Sequence, residues 1–350
     1  MNSRTLLIAP FYLLHPDDGR LAIWARQLPH LIARDLTTLG ADVIYRPLIE
    51  GQGAATRYRV LEAFDPQLLR QVAQSNGAEQ IVTAGIGFRP RVQLHVQAFE
   101  ASSGAIISES MDECAPALLM AVLPGVYRHI AGLTGVPANG VPPFLGAGRS
   151  ETALFALALD LDNDDLLQAS GGQLPFDDPF SARYLPLLEA LRLDPGFSEA
   201  RERLCERCRT SPAEETDIAV TSLERAIDFA EHPHELSLEL ALLLDSRRRG
   251  KEAVAVLTGS LERNPGHVDG RMHLGRLLLL TGHSQKAAPH LEEASRLRPQ
   301  DWRPAFWLGR LNNEAGQPKK AAQWYQRALD KGMPEGPQRK RAQSALQRAR

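Results

Sequence analysis

The stretch that decides the fold is LGRLLLLTGHSQKAAPHLEEA, residues 274–294, because LGRLNNEAGQPKKAAQWYQRA, residues 308–328, repeats its pattern 34 positions later. The two stretches share a Leu-Gly pair, a glycine before the second half and two alanines within it. One further step back, the matching positions hold Leu240, Ala241, Ala253, Leu257 and Ser260. A fixed period with small residues in constant places predicts stacked pairs of helices, because the small side chains let the two helices of a pair approach closely.

This period and residue pattern resemble the tetratricopeptide repeat (TPR), a helix-turn-helix unit. The resemblance implies an all-α TPR superhelix, an α-solenoid, over residues 150–350. Clear repeats are expected at 234–267, 268–301 and 302–335, with divergent repeats before them and a capping helix at 338–350. It also implies a concave groove lined by the first helix of each unit. Carried over by register, the groove residues are Met272, His273, Arg276, Phe306, Trp307, Arg310 and Asn313.

Residues 1–133 have a different pattern, in which strands and helices alternate. The predicted order is β-α-β-α-β-β-β-α, an α/β domain with one face of its sheet covered by helices. The clearest strand alternates apolar and polar residues from Arg91 to Glu100, and a Ser-Gly turn leads into the next strand. The strands are expected at 5–11, 41–49, 80–86, 91–100 and 105–110, and the helices near 22–39, 61–76 and 115–132.

Three stretches of this domain carry a second resemblance. They are Ile8 to Phe11, Gly77 to Gly85, and Arg91 to Glu100 with the Ser103-Gly104 turn after it. Residues 4–132 resemble the N-terminal domain of the TolB family, although the segment from Gly51 to Val60 departs from the family pattern. The resemblance implies a non-catalytic module with the fold just described.

A segment rich in proline and glycine, TGVPANGVPPFLGAGR at 134–149, separates the two halves. Such a composition predicts a linker between domains. We therefore expect an N-terminal domain at 1–133, a linker at 134–149 and the repeats at 150–350.

Composition excludes several classes of function. The net charge of −2 provides no overall field toward nucleic acid or a membrane surface. No apolar run of about 18 residues predicts a transmembrane helix, and the N-terminus does not have the pattern of a signal peptide. Three cysteines are too few for a disulfide framework, so we expect a reducing, cytoplasmic location.

Motifs for catalysis, cofactors or metals are weak. Cys205 and Cys208 form a C-x-x-C, but they lie within a predicted helix and no second pair exists, so we interpret them as packing residues. The acidic run Asp160 to Asp165 lacks the glycine and glutamate of a calcium loop and is expected to be a solvated acidic turn. No Walker, G-x-S-x-G or H-E-x-x-H motif occurs. We expect neither an enzyme nor a bound cofactor or metal.

Charge is distributed unevenly along the repeats. Residues 146–245 carry 8 basic and 21 acidic side chains, whereas residues 302–350 carry 11 basic and 3 acidic ones. The leading hypothesis is a TPR scaffold that binds a protein or peptide partner, acidic where it meets the last repeats; head-to-tail contact between two copies would use the same asymmetry. The alternative is a small-molecule or nucleotide sensor, with ligand loops at Gly51 to Thr56 and Gly85 to Pro90 and repeats that relay the bound state.

Overall fold

The computed structural model describes residues 5–14, 19–45, 49–50, 57–58, 66–88, 91–114, 119–136, 151–170, 180 and 183–348. Contacts divide the chain into two compact units, Met1–Ala200 and Arg201–Arg350. The predicted linker falls mostly outside the described residues, from residue 137 onward. The linker and the domain boundaries beside it therefore stay predictions.

The first unit is built on a mixed sheet in the order β3-β1-β6-β7-β8. β1 is parallel to β3 and β6, and β6, β7 and β8 form an antiparallel meander. β2 pairs with the end of β6, and within the described residues β4 and β5 pair with each other alone. β2 and β5 lie outside the predicted strands, and β4 overlaps the predicted strand 41–49 only at Ile49. The strands are β1 (Leu6–Ile8), β2 (Tyr12–Leu13), β3 (Val43–Tyr45), β4 (Ile49–Glu50), β5 (Arg57–Tyr58), β6 (Gln80–Phe88), β7 (Val92–Glu100) and β8 (Ile106–Cys114).

Helices cover both faces of this sheet, and the expectation of a single covered face was wrong. The helices are α1 (Gly19–Thr38), α2 (Pro66–Ser75) and α3 (Leu119–Thr134). Phe99 of β7 is buried in one cluster with Leu69 and Ala73 of α2. The neighbouring Ala98 points to the opposite face, where its cross-strand partner Ser108 contacts His129 of α3 at 3.1 Å. The physical reason is that right-handed crossovers leaving β1 in one direction and returning in the other place their helices on opposite faces.

α4 (Glu151–Ala169) follows the predicted linker and packs against α1 within the first unit. The acidic run at 160–165 is therefore helical, neither a calcium loop nor a solvated turn, and Asp162 is buried. Arg26 donates two hydrogen bonds to the Asp162 carboxylate at 2.9 and 2.8 Å, and Gln27 donates a third at 2.9 Å. Trp24 packs edge-on against Phe155, with ring centroids 5.9 Å apart. α1 thus supplies the polar partners that allow acidic side chains to be buried.

The second unit consists of helices that pack on one another in sequence. Three successive pairs begin at 233, 268 and 302, close to the starts predicted for the clear repeats. In the described part of the chain, no helix is long and apolar enough to span a membrane. The coarse expectation, an N-terminal region of strands and helices followed by TPR-like helices, is confirmed. The helices that follow α4 are α5 (Leu185–Leu193), α6 (Ser198–Thr210), α7 (Thr216–Phe229), α8 (Pro233–Ser246), α9 (Gly250–Arg263), α10 (Val268–Leu280), α11 (Ser284–Leu297), α12 (Trp302–Glu314), α13 (Pro318–Asp330) and α14 (Pro337–Arg348).

The conserved spacing of glycine within the repeats has a direct structural cause. Gly275 in α10 lies against Leu291 of α11, and Gly309 in α12 lies against the ring of Tyr325 in α13. A Cβ at Gly275 would come within 2.6 Å of the Leu291 side chain. The two helices of these two pairs therefore approach too closely for a larger residue at Gly275 or Gly309, which is the role that the repeat pattern predicted.

Candidate binding site on the last repeats

A cluster of one tryptophan and two arginines lies on the first helices of two successive pairs. The Trp307 ring in α12 has the Arg276 guanidinium carbon 6.0 Å from its centroid and that of Arg310 5.5 Å away. Arg276 and Arg310 occupy equivalent positions, 34 residues apart. An aromatic face attracts guanidinium groups electrostatically, so the indole holds both cations in place. Three of the predicted groove residues are thus brought together.

Both arginines already have acidic partners. Arg276 donates a hydrogen bond to Asp245 of α8 at 2.7 Å, and Arg310 donates one to Glu314 at 2.8 Å. The Arg276 side chain is only 17% exposed. A carboxylate ligand would therefore share these two arginines with Asp245 and Glu314, because neither arginine is free of an acidic partner.

Two of the predicted groove residues are buried and cannot contact a bound partner. Met272 and Phe306 are 2% and 1% exposed. The Phe306 ring packs edge-on against Trp307 at 5.3 Å and lies 5.7 Å from Tyr325, both measured between ring centroids. Their repeat position points between the helices, so both belong to the core, and Phe306 packs against Trp307. Their assignment to the groove is corrected accordingly; two large apolar residues in equivalent positions were the available sign of burial.

His273 and Asn313 complete the predicted set. His273 is half-buried, and burial together with Arg276 and Arg303 lowers its pKa to about 4. It is therefore neutral at physiological pH and adds no charge to the site. Asn313 is exposed at the end of α12.

A cavity of about 430 Å³ adjoins the Arg310 end of this cluster. The terminal helix α14 forms one wall and contributes Arg341, Ser344 and Arg348. Arg341 and Arg348 are exposed and form no ion pair within the described residues. Sequence analysis treated α14 only as a cap, although basic residues at 341 and 348 share one helical face. The full lining is Arg310, Asn313, Glu314, Pro318, Tyr325, Arg341, Ser344, Ala345 and Arg348.

A second cavity, of about 440 Å³, lies among α6, α8 and α10 and has a different charge balance. Its basic side chains are matched one to one by acids: Arg201 with Glu235 at 2.8 Å, Arg209 with Glu239 at 3.3 Å and Arg298 with Asp269 at 2.6 Å. With Glu202 also in its lining, this cavity has four carboxylates for three arginines, whereas the α12–α14 cavity has three arginines for one carboxylate, Glu314.

The two cysteines of the C-x-x-C lie in α6, where Cys205 is 7% and Cys208 1% exposed. Burial is the main cause that raises the pKa of each thiol to about 12, so both are protonated at neutral pH. The Cys208 thiol donates to the Ala219 carbonyl at 3.6 Å. This environment matches the packing interpretation, because a reactive or metal-binding cysteine requires an accessible thiolate. In the residues that the model describes, no group of three His, Cys, Asp or Glu side chains is arranged to hold a metal ion.

The two loops proposed for a sensor lie largely outside the described residues, at 51–56 and 89–90. The described part begins with Gly85, which is covered: a Cβ there would lie 2.8 Å from Leu14 and 2.9 Å from Tyr12. The space beside the Gly85 backbone is therefore occupied by the protein's own side chains.

The family model of the tetratricopeptide repeat matches residues 272–339, which run from α10 into α14. This part of the chain therefore contains tetratricopeptide repeats, as the 34-residue period predicted. A comparison with curated proteins finds no match. The TolB-like resemblance of residues 4–132 is not tested by the family match and stays a prediction.

Several solved structures of repeat proteins are similar to this chain. YrrB, described as a TPR protein with an unusual peptide-binding site, is 18% identical, with 55% of this chain and 90% of that chain covered and a TM-score of 0.40. MamA from Desulfovibrio magneticus RS-1 is 21% identical over 45% of this chain and 89% of that chain, with a TM-score of 0.37. PilF from Pseudomonas aeruginosa is 17% identical over 58% and 90%, with a TM-score of 0.40. At TM-scores this low, the similarities carry no argument about what this chain binds.

Proposed function

We propose that the protein is a non-enzymatic TPR scaffold of the cytoplasm, whose solenoid binds an acidic segment of a protein partner at its last repeats. The observation that carries the proposal is the α12–α14 cavity, where Arg341 and Arg348 have no acidic partner among the described residues and Arg310 is held beside Trp307. Unpaired arginines favour carboxylates because the guanidinium fork matches their geometry. The tryptophan adds a large, rigid apolar surface beside the cations.

The ligand's orientation follows from the charge distribution. Residues 302–350 have 11 basic and 3 acidic side chains, whereas the α6–α8–α10 cavity is lined by three arginines and four carboxylates. The acidic part of a bound segment therefore belongs at the α12–α14 cavity, and a neutral or mixed part would extend toward α8. Such a surface accelerates association more than it raises affinity, and salt weakens its effect.

The test is titration of a fluorescein-labelled, glutamate-rich peptide into the full chain, followed by fluorescence anisotropy. Arg341→Glu with Arg348→Glu should weaken binding at least tenfold. The matched control, Lys319→Glu with Lys320→Glu, changes the net charge equally at exposed positions of α13 that lie outside the cavity lining. It should weaken binding less than threefold.

Intrinsic fluorescence provides a second readout, because a ligand at Arg310 lies beside Trp307. Equal losses of affinity in the two double variants would show that the peptide senses only net charge, and would contradict a site in this cavity. Binding that the cavity variant leaves unchanged would refute the proposal outright.

A further inference from the structure

The first unit ends at one side in a long edge strand. β8 pairs with β7 on its inner side, and it is the last strand in the order of the sheet. Within the described ranges no strand pairs with its outer side. An edge of nine residues presents a row of main-chain donors and acceptors to any extended chain that approaches it.

Exposed apolar side chains are concentrated on this strand. Ile106, Ile107 and Met111 are 54%, 43% and 66% exposed. They are three of the eight large hydrophobic residues that are exposed in the described part of the chain, although β8 is only nine residues long. Exposed apolar side chains do not stabilise a strand that merely ends the sheet. A further strand paired with the outer side of β8 would cover them.

β8 also carries three carboxylates: Glu109, Asp112 and Glu113. Glu109 accepts hydrogen bonds from His95 at 2.5 Å and Gln97 at 2.9 Å, and Glu113 accepts one from Gln93 at 2.6 Å. All three donors belong to β7, so Glu109 and Glu113 are hydrogen-bonded from the inner side of the strand. The hydrogen bond from His95 is the main cause that lowers the pKa of Glu109, so the group stays ionised.

These charges decide between two occupants. A second copy of β8 would bring three carboxylates from each chain into one two-stranded ribbon, and like charges across strands are destabilising. A strand that carries lysine or arginine would place cations beside the same carboxylates. Charge complementarity therefore selects a basic partner over a second copy.

We propose that β8 binds an extended segment of another protein, in which lysine or arginine alternates with apolar residues along one face of the segment, and that this segment adds a strand to the sheet. Main-chain hydrogen bonds to the edge supply affinity. Ile107, Glu109, Met111 and Glu113 are spaced two residues apart and therefore share one face of β8, so they select a partner strand whose side chains on that same face alternate between apolar and basic.

The experiment uses the full chain and a synthetic peptide of nine residues in which lysine and valine alternate at every second position, with threonine at the positions between them. Anisotropy measures its affinity for the wild type, for Glu109→Lys with Glu113→Lys, and for the matched control Glu79→Lys with Glu262→Lys, two exposed acids away from β8. A second peptide has the same sequence with alternate backbone nitrogens methylated along the edge that would pair with β8. Hydrogen exchange with the first peptide bound locates the contact, and circular dichroism checks the fold of each variant.

The β8 variant and the methylated peptide should each lose at least tenfold in affinity, while the control variant loses less than threefold. The amides of β8 should gain protection from exchange. Methylation that costs less than tenfold would show attraction by charge without strand addition and would overturn the proposal. Loss below tenfold in the β8 variant, or protection confined to other elements, would overturn it as well.

Discussion

Replacing Gly309 by alanine tests the close approach of α12 and α13. A Cβ at this position would lie 2.7 and 2.8 Å from two carbons of the Tyr325 ring. The ring has little room to withdraw, because Tyr325 is 1% exposed and packs against Phe306. Alanine gains about 1 kcal/mol over glycine in a helix, but overpacking a filled core costs about 1–3 kcal/mol. We expect a net loss of about 1 kcal/mol, or roughly 2–4 °C in Tm for a unit of this size.

The same substitution at Gly259 is the control, because a Cβ there would meet nothing within 4 Å in the interior of α9. Gly259→Ala should stabilise the protein by about 1 kcal/mol, the full helix-propensity gain. Urea unfolding followed by tryptophan fluorescence suits both variants, since three of the four tryptophans, at 302, 307 and 324, lie in the last repeats. If Gly309→Ala stabilised the protein as much as Gly259→Ala, the steric argument would be refuted.

Three further outcomes are expected. Asp162→Ala should cost about 3 kcal/mol, because it removes the partner of a largely buried Arg26, whereas Arg34→Ala, which breaks a more exposed pair, should cost about 1 kcal/mol or less in the same thermal melt. Stability should fall as the pH drops from about 6.5 to 4, because the unfolded chain protonates His273 while the folded chain holds its pKa at about 4; His273→Gln should flatten that slope in urea midpoints measured at pH 5 and 7. Limited proteolysis should cut within 137–149. The two fragments should then co-elute in gel filtration, because α4 in the C-terminal fragment stays packed against α1 in the N-terminal one, and separate elution would contradict this.

The candidate site divides into a part that the repeat pattern predicted and a part that it did not. Register placed Arg276, Trp307 and Arg310 on the same side of the stacked repeats, because equivalent positions of successive repeats recur on the same side. Register alone did not show that Met272 and Phe306 are buried, since this depends on the tilt of each helix against its neighbour. The basic wall from α14 was missed because a terminal helix has no repeat partner to be aligned with.

By itself, the sequence determined the helix pairs of the last repeats and the long strands β6, β7 and β8. Both depend on local periodicity, which is 3.6 residues in a helix and 2 in a strand. The helix pairs also depend on glycines at positions where two helices approach closely. Tertiary structure alone decided the short strands, the covering of both sheet faces and the burial of Asp162. A two-residue strand has almost no local preference, and a carboxylate is buried only when Arg26 and Gln27, more than 130 positions away, reach it. Such pairings exist only once the chain has folded, because no local pattern records which distant side chain will meet a given residue.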